Sequence, residues 1–170
     1  MYGGDLMQIQ LSQKERMLLQ DEKNQEEICV VKYKNYAEMA QDPQLKQLFT
    51  TLSKEEQKHY DTVSQLLQGN NPNMGQGQSG QSAQTGVQMG QPFGKSTGQN
   101  QTSGVNNSDK LLCNDLLSTE KYVSGTYDTG IFECANTTVR QALQHIQKDE
   151  QSHGEQLFNY MASHGMYQVQ

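Results

Sequence analysis

The chain has 170 residues, about one domain by length, and only 33% of them are apolar, which excludes a large hydrophobic core. Thirteen basic against nineteen acidic side chains leave a net charge of −6, and no Lys/Arg cluster stands out, so a nucleic-acid partner is not expected. No stretch approaches the ~20 apolar residues of a membrane span, and MYGGDLMQIQLSQKER lacks a signal-peptide pattern, so cytoplasmic synthesis is expected.

Ser12 followed three residues on by Glu15 forms a capping box, and Ala37, Ala40 and the Asp42-Pro43 pair mark a stop and restart, which predicts a first helix over roughly 13–40. Asp42 caps a second helix with Pro43 at its first position, running to about 68, where Gly69 offers a left-handed end. From 69 to 107 the composition changes: nine of the fifteen Gly, fourteen Asn or Gln, and a single charge, Lys95. That tract reads as a flexible crossover linker, with a coil span of roughly 35 Å, about one bundle length. Asn107 or Ser108 then caps a third helix to about 135, the Asn136-Thr137 pair turns the chain, and a fourth helix runs to Gly165. The organisation is therefore an N-terminal hairpin over 1–68, a linker over 69–107 and a C-terminal hairpin over 108–170.

The two hairpins are copies of each other, because a shift of 94 superposes them without a gap. Asp21, Glu26 and Tyr33 meet Asp115, Glu120 and Tyr127; Gln47, Lys54, Glu56, Gln57 and His59 meet Gln141, Lys148, Glu150, Gln151 and His153. The shared string is K-[ED]-E-Q-x-H. A common apolar period explains Leu52 over Ile146 but not a repeated Glu and His.

In the second helix the stripe Leu45, Leu48, Phe49, Leu52, Val63, Leu66 is interrupted by Glu56 and His59, and the fourth repeats this with Glu150 and His153. Glu26 and Glu120 lie on the apolar faces of the first and third helices. Burying four carboxylates around one axis is costly unless they are paired, protonated or bound to cations, and a metal removes the conflict. Glu26 and Glu56 each lie about fifteen residues from the first turn, roughly 22 Å at ~1.5 Å per residue, and Glu120 and Glu150 straddle the second turn likewise. One Glu from each of two helices plus Glu-x-x-His from each of the other two is the ligand set of ferritin-like di-iron and di-manganese proteins. Glu26, Glu56, His59, Glu120, Glu150 and His153 supply all six, with Glu56 and Glu150 placed to bridge two iron or manganese ions. The alternative is a duplicated bundle that keeps an old site as a polar, hydrogen-bonded core.

Other residues carry less. Tyr33 and Tyr127 read as satisfied core tyrosines, and Glu22 as a helix-end charge, since the other copy has Leu116 there. His145 and His164 fall off the stripe and are expected on the surface. Cys29, Cys113 and Cys134, an odd number without a C-x-x-C spacing, fit a reducing compartment rather than disulfides or a rubredoxin-type knuckle, and no basic neighbour activates Cys29 or Cys134.

The segment from Asp109 to Tyr167 resembles the coat F domain of spore coat proteins from endospore-forming bacteria, through N-D-L-L-x-T-E-K (Asn114 to Lys121), the Tyr127 region, E-Q-x-H and the closing F-N-Y-M and G-x-Y. The N-terminal hairpin resembles ferritin-like and rubrerythrin-like sequences through Glu26 and Glu56-x-x-His59. The resemblance implies an all-α, ferritin-like four-helix bundle in a protein of the spore coat, with other coat proteins or further copies of itself as partners. A missing rubredoxin domain argues against rubrerythrin proper, and the end at Gln170 against the fifth helix of a ferritin cage. Three classes of function compete: a structural coat protein with a di-metal centre, a di-iron or di-manganese oxidoreductase acting on O2 or peroxide, and a metal-storage bundle.

Overall fold

Each helix begins where a short polar side chain takes over the first free backbone donors. The computed structural model describes residues 8–72 and 104–168, and these form four α-helices with no strand among them. Ser12 and Glu15 form the reciprocal capping box that opens α1, Gln13–Met39, and Asp42 caps α2, Pro43–Leu67, with proline in its first turn. Asn106 caps α3, Asn107–Glu133, accepting from the backbone of Ser108 and Asp109; the cap thus falls one residue before the predicted Asn107 or Ser108, because Asn106 Oδ1 reaches both donors. Asn136 caps α4, Thr137–Ser163, in the same way. Gly69 closes α2 at φ +80°, where a Cβ would stand 2.8 Å from Gln8 Cγ, and Gly165 follows α4 at φ +68°.

Two antiparallel hairpins, α1 with α2 and α3 with α4, pack so that α1 runs against α3 and α2 against α4. The α1 start meets the α3 end through Lys14 and Glu133, and the α1 end meets the α3 start through Tyr36 and Asp115, 2.7 Å apart. Ile9 N donates to Gly69 O at 2.7 Å, which sets the end of α2 beside the start of α1. Asn106 donates to Gln41 at 2.9 Å, which sets the start of α3 beside the α1–α2 turn. Gln68 and Asn107 therefore stand at opposite ends of the bundle. Most of the tract expected to cross between them lies outside the described residues.

The duplication recurs as a pair of reciprocal clasps. Glu15 reaches from the first turn of α1 to accept from the backbone of Ala135 and Asn136, at 2.9 and 2.8 Å, in the turn between α3 and α4. Asp109, its counterpart 94 residues on, accepts from Gln41 and Asp42, at 2.9 and 3.0 Å, in the turn between α1 and α2. Each hairpin thereby satisfies the orphan donors of the other's turn. Tyr33, Leu45, Phe49, Leu116, Leu157 and Met161 are buried toward one end of the bundle, and Leu19, Val63, Leu66, Val139 and Leu143 toward the other. Between the two apolar layers lies a polar one.

Candidate metal centre

The polar layer consists of Glu26 from α1, Glu56 and His59 from α2, Glu120 from α3, and Glu150 and His153 from α4, none more than 4% exposed. The structure brings all six predicted side chains together. Glu26, Glu56, His59 and Glu150 present ligand atoms within 4.8 Å of one another, and so do Glu56, Glu120, Glu150 and His153. Glu56 and Glu150 belong to both groups. His59 Nδ1 lies 3.0 Å from Glu150 and 3.3 Å from Glu56, while His153 Nδ1 lies 2.9 Å from Glu56 and 3.6 Å from Glu150. The two imidazoles stack at 5.5 Å between centroids.

A second ring of residues holds the first. His59 Nε2 faces Asp149 at 3.3 Å and His153 Nε2 faces Glu55 at 2.9 Å, so each imidazole is fixed from outside by a carboxylate on the opposite hairpin. Tyr33 donates its hydroxyl to Glu120 and Tyr127 donates to Glu26, again across the hairpins. Glu22 is buried, not a helix-end charge: Thr126 of α3 donates to it at 3.1 Å, a partner that no pattern within α1 reveals. The acidic position in K-[ED]-E-Q-x-H was the available signal for Glu55 and Asp149. His145 is exposed beside Asp149, whereas His164 is half-buried against the Tyr160 ring, 4.0 Å away, because the last turn of α4 folds it back. All three cysteines are free and buried, and burial together with Glu56 and Glu26 pushes the Cys29 thiol far up.

Without a cation, protons keep this layer neutral. Burial, with the Glu150 and Glu56 charges, raises Glu26 well above the carboxylate range; burial and hydrogen bonding to Glu150 do the same for Glu120. Burial also acts against ionised Glu56 and Glu150, but hydrogen bonds from His153 and His59 outweigh it and hold both below the ordinary value. Burial alone would discharge the imidazoles; the carboxylates around them hold His59 far above its usual range and His153 at about 10. With all four carboxylates ionised, as metal ligands must be, Oε2 of Glu26, Glu56, Glu120 and Glu150 is buried without a hydrogen-bond donor. Four orphaned oxygens facing two imidazole Nδ1 atoms are a donor set of the kind iron and manganese accept, so the residues fit a pair of such ions.

Residues 9–84 match the rubrerythrin family model, and residues 108–170 match that of the Coat F domain. The uncharacterized protein YusN of Bacillus subtilis (strain 168) is 33% identical over 69 residues, 41% of this chain and 61% of the relative. The chain thus spans about three fifths of the curated relative it matches. No solved structure matches the chain. Among the described residues no helix is long and apolar enough to cross a membrane. A rubrerythrin match over the N-terminal hairpin and a Coat F match over the C-terminal one, folded together as one four-helix bundle, support a ferritin-like fold and a likeness to Coat F proteins.

Proposed function

We propose that this is a spore coat protein whose ferritin-like bundle holds two metal ions, iron or manganese, between its helices. The observation that carries the metal half is the set of four buried carboxylate oxygens without a donor, closed around two histidines. Glu26, His59, Glu56 and Glu150 would hold one ion, and Glu120, His153, Glu56 and Glu150 the other. Bound there, such ions supply redox chemistry toward dioxygen or peroxide. The chain's own residues prepare the site: Asp149 and Glu55 fix the outer imidazole nitrogens and turn Nδ1 inward, Tyr127 and Tyr33 hold Glu26 and Glu120, and the apolar layers above and below exclude water. The coat half rests on the Coat F match, and its partners would be other coat proteins or further copies of the chain.

An oxidoreductase is the second reading, favoured by the completeness of the set: an architectural bundle needs neither six ligands nor the two carboxylates behind its histidines. Peroxide consumption by the metal-loaded protein, with Glu56→Ala as control, separates the two. Turnover that disappears in the variant supports the enzyme, and turnover equal in both counts against it. Detection of the protein in the coat extract of purified spores tests location, and recovery from the spore core alone contradicts it.

A further inference from the structure

We propose that the cleft between α3 and α4 is the entrance through which divalent cations reach the centre, and that the matching route between α1 and α2 is closed by Tyr60. This rests on the metal reading above. The cleft encloses about 380 Å³; Leu117, Lys121, Ser124, Gln151 and Gly154 line it together with Glu120 and Glu150, two of the buried carboxylates, and the exposed Lys121 stands at its rim. The cleft thus ends against two residues whose Oε2 atoms have no donor, both of them still buried, at 3% and 1% exposure.

The duplication explains why this side is open. Under the 94-residue shift Leu117 corresponds to Lys23 and Gly154 to Tyr60. Between α1 and α2, the half-buried Tyr60 ring fills the position, with the Lys23 ammonium 5.2 Å from its centroid. Between α3 and α4, position 154 has no side chain, and a Cβ there would meet only Leu117 Cδ1, at 3.8 Å. Glycine costs helix stability in the middle of α4, and its backbone there needs no left-handed conformation. What it does provide is the opening.

Loading of the metal-free full-length protein with cobalt(II) alone, followed by stopped-flow absorbance and by the number of ions bound at equilibrium, tests the entrance. Gly154→Tyr should slow uptake about tenfold or more, because transit then requires the packed helices to open, while final stoichiometry and helicity stay unchanged. Tyr60→Gly, which opens the other side, should speed uptake and should restore it in the Gly154→Tyr background. Unchanged rates in Gly154→Tyr at full stoichiometry overturn the entrance and leave the metal reading intact. Should Gly154→Tyr bind no cobalt, the Tyr60→Gly rate decides, and a rate equal to that of the unaltered protein overturns the proposal. An unaltered protein that binds no cobalt at equilibrium overturns the metal reading, and the entrance with it.

Discussion

Glu55 of α2 lies 2.9 Å from Nε2 of His153 on α4, holding from outside the imidazole whose other nitrogen faces the buried carboxylates. Asp149 stands in the same relation to His59. Carboxylates behind metal-bound histidines fix the ring and raise its basicity, and their loss typically costs 10–100-fold in affinity. Glu55→Ala and Asp149→Ala should therefore each weaken metal binding by about one to two orders of magnitude with helicity unchanged. Equilibrium titration against a competing chelator measures this, and unaltered affinity in both variants contradicts the supporting role.

The clasp made by Glu15 holds two backbone N–H groups of the α3–α4 turn. Glu15→Ala leaves both without their acceptor and also removes the capping box, a loss of about 2–3 kcal/mol. Urea unfolding of the chelated protein should show it as a lower midpoint with an unchanged slope. The hydrogen bonds from Asn136, Ser12 and Ala135 hold the Glu15 carboxyl below its usual range against burial, so this contribution is present above about pH 4.5 and fades as the pH falls further.

Both hairpins, the caps at Ser12 and Asp42 and the grouping of Glu26, Glu56, His59, Glu120, Glu150 and His153 were legible in the sequence, because helical period and an ungapped repeat fix which residues share a face and at what height. Glu55 and Asp149 were not, although they stand in the repeated string: each lies one residue before an inward Glu, about 100° around the helix, and each remains roughly 40% exposed. Only the antiparallel placement of α2 against α4 turns them toward a histidine of the other hairpin. Tyr33 and Tyr127 are core tyrosines, as their apolar neighbours suggest, but their partners, Glu120 and Glu26, lie on α3 and α1 respectively and are invisible within one helix.

Metal uptake should release protons, since Glu26, Glu120, His59 and His153 carry them in the metal-free protein: about four for two ions, counted in weakly buffered solution. All four groups have folded values above their unfolded ones. Their contribution to the metal-free protein is full below the unfolded values, 4.5 for Glu and 6.5 for His, and is lost as the pH rises toward the folded ones, about 10 for His153. The lowered Glu56 and Glu150 act oppositely, losing their contribution as the pH falls below 4.5. The chelated protein should be most stable near pH 4.5, where the two opposing pairs of Glu balance, and weaken toward pH 9, while metal binds more tightly over the same range. A gap between loaded and chelated melting temperatures that stays constant from pH 6 to 9 contradicts this.

Shortening the tract between 69 and 107 tests the topology. Removing thirty of its 39 residues leaves nine, which reach at most ~31 Å, whereas α2 with its 25 residues is ~37 Å long. The shortened chain should lose its monomeric fold or pair its hairpins between two molecules, as gel filtration with light scattering would show. A shortened monomer of unchanged stability contradicts a crossover.

The most direct test of the central claim counts ions. Metal-free protein titrated with manganese(II), or with iron(II) under exclusion of oxygen, then freed of excess and analysed for metal, should retain two ions per chain. Saturation at a hundredfold excess over Kd should add roughly 2.7 kcal/mol per ion to stability, seen as a melting temperature that falls on chelation. Glu56→Ala combined with Glu150→Ala should abolish retention, and His59→Ala or His153→Ala should reduce it while keeping helicity. No retained metal, or two ions still held by the Glu56→Ala, Glu150→Ala protein, would contradict the account.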